Sequence, residues 1–373
     1  MPHKFVTTPL NTINTWLRTG TAHLRRALGT RAAPASAQVL RHPTSTRALK
    51  ILTWHVHGSY LYYLSQCPHE FYIPVTPERQ HGYGGRSGPF PWPPNLHEIP
   101  ADALRSQDFD CIVFQARQHF EQDQHTLLSE SQRRLPRIYI EHDPPREHPT
   151  DTRHFIDDPE VLIVQVTHFN DLMWDCGRTP TQVIDHGVIV PPHVRYTGEL
   201  AHGIVVVNNL RTRGRRLGLD IFERARREVP LDLVGMGSTE VGGRGEVPYA
   251  ELAAFQTRYR FFFNPIRYTS LGLAVIEAMT IGMPIVGLAT TEMVTTIENG
   301  VSGYVCTDVN RCIEHMHELL NDRAEAQRLG ANARAYALER FNIQRFIRDW
   351  DRCFATVVGR ERPRIVVPAA GYA

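Results

Sequence analysis

Asn264-Pro-Ile-Arg-Tyr-Thr-Ser-Leu-Gly-Leu-Ala-Val-Ile-Glu-Ala-Met-Thr-Ile-Gly-Met-Pro-Ile-Val286 is the stretch on which the reading of this chain turns. An apolar run, Phe261-Phe-Phe263, enters it and stops at Asn264-Pro265, where proline withholds the N–H that a strand ladder needs. Thr269 and Ser270 offer hydroxyls suited to a helix N-cap, and residues 271–281 follow as a helix that turns Leu273, Ile276 and Met279-Thr-Ile281 inward. Gly282 and Pro284 stop it, and Pro284-Ile-Val-Gly-Leu288 is strand again. Strand, turn, helix, strand is the unit of a parallel sheet. Free N–H groups at such a helix start favour a bound phosphate. Glu277 then falls two turns in, roughly 10 Å along the axis at about 1.5 Å per residue, where a carboxylate could take ribose hydroxyls. The residue pattern alone favours the plainer reading, a solvated helix glutamate.

Outward from this stretch the same rhythm repeats. Apolar runs at residues 50–56, 70–75, 110–115, 136–141, 161–166 and 181–184 predict a first set of strands, with room for helices between them. The rhythm pauses at Pro191-Pro192, then resumes with strands at residues 202–207, 231–234, 261–263, 284–288 and 303–305. Residues 309–359 read as helix. The expected fold class is α/β, two doubly wound Rossmann-like domains facing across a cleft. The expected division is a basic extension at 1–48, an N-terminal acceptor-side domain at 49–190, a C-terminal donor domain at 191–341, and a terminal helix and tail at 342–373 returning to the first domain. Residues 76–100 hold four glycines and six prolines and read as a loop too irregular for a sheet element.

A chain of 373 residues accommodates two such domains, and 42% hydrophobic with 21% charged content is that of a soluble globular protein. A net charge of +2 is too small to imply a nucleic-acid partner. Residues 1–68 nevertheless carry eight Lys or Arg and no acid. The favoured reading is a poorly ordered basic extension; a helix presenting Ile13, Trp16, Leu17, Leu24 and Leu28 to an anionic membrane is the minority reading, weakened by Thr19-Gly20-Thr21. Six scattered cysteines with no C-x-x-C pair indicate free thiols in a reducing compartment. No H-E-x-x-H spacing among the nineteen histidines suggests a metal site, and no apolar run approaches the roughly 20 residues of a membrane span. The expected location is cytoplasmic, with peripheral membrane contact through the basic segment as an option.

The stretch at 264–286 resembles the donor-site motif of GT-B glycosyltransferases of the glycosyl transferases group 1 (GT4-like) family, a pattern P-S-x-x-E-G-F-G, a second Glu eight residues after the first, then A-M-A-x-G-x-P-V-V. Pro265, Gly272, Glu277, Ala278, Met279, Gly282, Pro284 and Val286 match, and Thr290-Thr-Glu-Met-Val294 and Asn299-Gly-Val-Ser-Gly-Tyr-Val305 resemble the segments that follow. The resemblance reverses the reading of Glu277 and implies a nucleotide-sugar donor, UDP- or GDP-linked, as substrate, with no cofactor. It further implies sugar transfer with retention and without metal, to a glycan, lipid-linked or small-molecule acceptor. It assigns catalysis to Glu277 and to His142, which ends the strand Ile138-Tyr-Ile-Glu-His142, and puts Gly58 and Ser59 on the acceptor side. Asp185-His-Gly-Val188 is similar to the family's signature at the domain link.

The departures are as informative. The family's first Glu falls on Thr269, and its glycine and aromatic on Ser270 and Leu271. A hydroxyl binds sugar less strongly than a carboxylate, because charge-assisted bonds are about twice as strong; Arg267 and Ser270 are the expected compensation. The family's Gly-Arg and Lys on the diphosphate correspond to Asn208-Asn209 and a cluster, Arg211-Thr-Arg213-Gly-Arg-Arg216, in which either Arg213 or Arg216 takes the cation's place. The donor-binding set is therefore Arg211, Arg213, Arg216, Arg267, Thr269, Ser270, Leu271, Gly272 and Glu277. Two rivals stay open, a non-catalytic nucleotide-sugar-binding relative and a same-fold nucleotide-sugar epimerase. A nicotinamide enzyme is disfavoured by the absence of G-x-G-x-x-G after either first strand.

Overall fold

The computed structural model describes residues 47–360. The basic segment, with the helix proposed around Trp16, and the tail beyond residue 360 lie outside the described residues. Among the described residues, twelve strands form two all-parallel sheets. The first contains β1 (Lys50–Thr53), β2 (Glu70–Val75), β3 (Leu96–Pro100), β4 (Cys111–Phe114), β5 (Arg137–Glu141), β6 (Val161–Gln165) and β7 (Thr181–Val183), in the order β3-β2-β1-β4-β5-β6-β7. The second contains β8 (Leu200–Val206), β9 (Leu231–Val234), β10 (Tyr259–Asn264), β11 (Ile285–Leu288) and β12 (Gly303–Cys306), in the order β12-β11-β10-β8-β9. Strands covered on both faces are apolar throughout; β4, β10 and β11 are buried at every residue. Both sheets change winding direction beside their first strand, between β1 and β4 and between β8 and β10, and ligands of doubly wound sheets bind outside the carboxyl ends at such points.

One strand departs from expectation. β3 pairs with β2 in register from Phe71↔Leu96 to Val75↔Pro100, inside the stretch read as loop. It is an edge strand in which only Leu96 and Ile99 are buried, so it lacks the continuous apolar run, and an edge tolerates Pro100. The glycine-rich segment before it is tied down: Arg79 grips Glu98 through two 3.0 Å bonds, and Arg86 N–H donates to the same carboxylate at 2.6 Å.

Both lobes belong to the unit Thr44–Ala373. The helix Ile343–Ala355 is capped by Asn342 and sets Phe346, Trp350 and Phe354 against Tyr60, His69 and Phe71 of the first lobe. At Gly187 a Cβ would stand 2.4 Å from the Phe346 Cβ, so this interlobe segment must be glycine for the helix to dock. The Arg340 guanidinium bonds both Asp185 oxygens (3.0 and 3.2 Å) and Glu292 Oε1 (2.7 Å), while Glu292 Oε2 accepts from Phe169 N–H at 2.9 Å. Phe169 and Asp185 of the first lobe and Glu292 and Arg340 of the second thus share one ionic knot.

Arg340→Ala strands two largely buried carboxylates, and removal of one partner from such a network costs about 3 kcal/mol or more. Urea unfolding should show that loss; a midpoint within error of wild type would show that the lobes are held otherwise.

Candidate active site

A cleft of about 470 Å³ opens between the lobes. Its first wall is His55, Gly58 and Ser59 after β1, with Ser87 to Phe90 of the glycine-rich segment; its second is Val206 and Asn208 after β8, Val234 to Met236 after β9, Tyr249, and Leu273, Ala274 and Glu277 of the helix after β10. These are carboxyl ends of strands beside both switch points. At Gly58 an added Cβ would lie 2.6 Å from the edge of the Phe90 ring, so a side chain there would push that ring off the helix start. His55 Nδ1 lies 2.5 Å from the Gly85 carbonyl and holds that loop against the cleft.

The helix after β10 is Leu273–Ile281, with Gly272 at the N-cap and no side-chain cap. The expected capping by Thr269 or Ser270 does not occur. Ser270 and Leu271 are buried beneath the turn, and Thr269 Oγ1 donates instead to Asp143 Oδ1 at 3.2 Å. The first-turn N–H groups are left without a side-chain acceptor, and a Cβ at Gly272 would meet open space. Because the helix starts at Leu273, Glu277 lies only one turn in, roughly 6 Å from the start rather than 10.

Nor is Glu277 solvated. It is 8% exposed, lines the cleft, and accepts from Tyr63 Oη at 2.6 Å across the lobe boundary. Tyr63 Oη also lies 2.8 Å from Tyr249 Oη, so a Tyr249–Tyr63–Glu277 chain spans both lobes. Burial pushes the carboxyl up to about 7, against the opposing hydrogen bond from Tyr63.

Beside the helix start lies a charged cluster. Asp143, just past β5, receives Thr269, pairs with Arg146, and lies 3.9 Å from Arg216. Burial would raise its pKa, but Arg146, Arg216 and Thr269 hold it below the usual carboxylate range. Arg213 feels the field of Asp143, Arg146 and Arg216; partial desolvation and then repulsion from Arg216 lower its pKa. Three arginines around one carboxylate leave an excess of positive charge.

Other expected residues stand elsewhere. Arg211 donates to the Glu240 carbonyl at 3.2 Å. Arg267 spends its fork on Asp220 (2.5 and 2.7 Å) and on the Arg215 carbonyl (2.7 Å), while the Arg216 carbonyl accepts from Arg267 N–H at 3.0 Å. At Gly218 a Cβ would meet the Pro265 carbonyl at 2.0 Å, another close passage only glycine permits. Arg267 therefore braces the two donor-side loops rather than offering a cation to the cleft.

His142 sits with its ring 4.3 Å from that of His57 and 4.8 Å from that of Tyr60. Burial, then His57 and His186, lower its pKa well below the ordinary value, so it is neutral. The Gln115 amide nitrogen donates to the Trp54 carbonyl at 3.0 Å, which turns the Gln115 oxygen toward His142 Nε2 at 3.2 Å. Nε2 therefore carries the proton and Nδ1 is the acceptor.

Sequence reasoning missed Tyr63, Tyr249, Asp143, Arg146 and Gln115. Tyr63, in the run Tyr60-Leu-Tyr-Tyr63, and the distant Tyr249 carry no sequence signal of a site, but Asp143 had one, a carboxylate at the carboxyl end of a parallel strand. Among the described residues no helix is long and apolar enough to cross a membrane, no group of three or more His, Cys, Asp or Glu is arranged to hold a metal ion, and all six cysteines are free.

A group whose folded pKa is raised to about 7 is protonated in the native state while ionised in the unfolded one between pH 4.5 and 7, so stability falls as pH rises through that window. Glu277→Gln removes the dependence, and its stability relative to wild type should improve by about 2.5 kcal/mol between pH 5 and pH 8. Denaturant titrations at the two pH values check this; a constant difference would put the carboxylate in water.

Comparison with known proteins places this geometry. Residues 238–336 match the family model described as glycosyl transferases group 1. A trehalose synthase from Thermococcus litoralis is 31% identical over 126 residues, a segment that covers 34% of this chain and only 30% of that relative. Among solved structures, a sucrose-phosphate synthase from Thermosynechococcus elongatus superposes with TM-score 0.61 at 14% identity, over 82% of this chain and 98% of its own. HepE of Anabaena, solved in complex with UDP-glucose, superposes with TM-score 0.57 at 13% identity, over 82% and 99%. The chain thus has the two-lobed GT-B fold, and residues 238–336 of its second lobe resemble the glycosyl transferases group 1 family.

Proposed function

We propose that this chain is a glycosyltransferase that binds a nucleotide sugar in the interlobe cleft and transfers the sugar, with retention and without metal, to an acceptor entering past Gly58 and Ser59. The observation that carries the reading is an uncapped helix start just past the turn at Tyr268 and Thr269, where Arg216 donates to the Tyr268 carbonyl at 3.4 Å and Arg213 shares the same field. Backbone N–H groups and the helix dipole favour a diphosphate there. Glu277, one turn along, would accept the ribose hydroxyls, which requires it to ionise or to exchange its bond with Tyr63.

The nucleotide diphosphate leaves carrying the bonding pair of the sugar–oxygen bond. Preorganised amides and arginine cations aimed at that charge lower the barrier without a protein nucleophile. The neutral His142, fixed by Gln115, presents Nδ1 as an acceptor for a sugar hydroxyl. Retention follows from the family resemblance. UDP in the HepE complexes supports a uridine donor as the first to try.

The test is calorimetric titration with UDP, GDP and ADP followed by transfer assays. One nucleoside diphosphate should bind, and Arg213→Ala with Arg216→Ala should raise the donor KM or lower kcat by on the order of 100-fold, the loss expected for two charge-assisted contacts. Binding of none of the three, or wild-type kinetics in the double variant, would refute the diphosphate site.

A further inference from the structure

Asp143 has an unusual setting for a counter-ion. Its backbone is clamped on both sides: its N–H donates to Glu141 Oε1 at 3.0 Å, and its carbonyl accepts from Trp174 Nε1 at 2.9 Å. The carboxylate is thereby held at the carboxyl end of β5, pointing across the lobe boundary to Thr269. It is 22% exposed, so it keeps access to solvent. With a diphosphate at the start of Leu273–Ile281 and a ribose toward Glu277, the sugar on the far phosphate must lie on the opposite side of the helix start. That is the side of Thr269 and Asp143. Thr269 is also where the group 1 pattern carries its first glutamate, and the two residues named to compensate do not face that space: Arg267 is bound to Asp220 and Ser270 is buried.

We propose that Asp143 is the carboxylate of the donor-sugar subsite, supplied by the N-terminal lobe in place of one on the turn at Thr269, where it accepts hydrogen bonds from hydroxyls of the transferred sugar. The inference rests on the reading above that the cleft binds a nucleotide sugar. Donor recognition then needs both lobes together. When the diphosphate arrives, Arg216 has a stronger anion to bind, and Asp143 Oδ1, which faces Arg216 and Thr269, is freed for the sugar while Oδ2 keeps Arg146. A residue that only balanced the charge of Arg146, Arg213 and Arg216 would affect nucleotide and nucleotide sugar alike; a sugar-binding residue separates them.

The experiment compares wild type, D143N and the double variant D143N/T269E, with nucleotide affinity measured by calorimetry using UDP and GDP and kcat/KM measured with the corresponding sugar donors. D143N is expected to lose on the order of 10- to 100-fold in kcat/KM for the sugar donor, the worth of a charge-assisted bond, while affinity for the free nucleotide changes less than about threefold. The double variant, with a carboxylate returned from the other lobe, should recover a large part of that loss. Unchanged kcat/KM in D143N, equal losses for nucleotide and sugar donor, or no recovery in the double variant would overturn the proposal while leaving the nucleotide site standing. Wild-type protein that binds no nucleotide at all would overturn both.

Discussion

The ionic knot around Arg340 sets the geometry on which everything in the cleft depends. Asp185 lies after the last strand of the first sheet, Glu292 after β11 of the second, and Arg340 near the end of the helix Arg323–Arg340. A guanidinium has a rigid fork, so satisfying two carboxylates at once fixes direction as well as distance. Only with the lobes held in this relation can Tyr63 reach Glu277 and Thr269 reach Asp143. Those contacts are the cleft's own, and each joins a residue of one lobe to a residue of the other.

The cleft is arranged by two physical effects. Parallel sheets put all their carboxyl-end loops on one side, so two such sheets facing each other line a groove with backbone N–H groups and loop side chains. Close passages at Gly58 and Gly218 then bring loop against helix and loop against loop. Burial finishes the electrostatics. It raises Glu277 to about 7 and suppresses the charge of His142, leaving the arginines beside Asp143 as the strong field at the helix start. A negatively charged ligand with a hydroxyl-rich end on each side fits that distribution.

Much of the architecture was legible because buried parallel strands are written as continuous apolar runs; Phe261-Phe-Phe263 and Pro284-Ile-Val-Gly-Leu288 are of this kind. Leu96-His-Glu-Ile-Pro100 was not, since this edge strand buries only Leu96 and Ile99 and sits in a proline-rich context. The helix after β10 was legible, but not its start. Thr269 and Ser270 have capping side chains, yet tertiary packing buries Ser270 and diverts Thr269 to Asp143. Arg267 illustrates the general limit. A cation next to the turn before an exposed helix start reads as a ligand, and only the fold shows that Asp220, far upstream, already holds it. Glu277 stood out as a position in the motif, while its partner Tyr63 did not, because their proximity exists only once two lobes close on each other.

The most direct measurement is a crystal structure with UDP or GDP bound. The account predicts the diphosphate against the first-turn N–H groups of Leu273–Ile281, facing the Arg216 side, with the ribose hydroxyls at Glu277 and the Tyr63 bond to that carboxylate rearranged. A nucleotide seated outside the interlobe groove, or one in the groove with its diphosphate turned away from that helix, would contradict it.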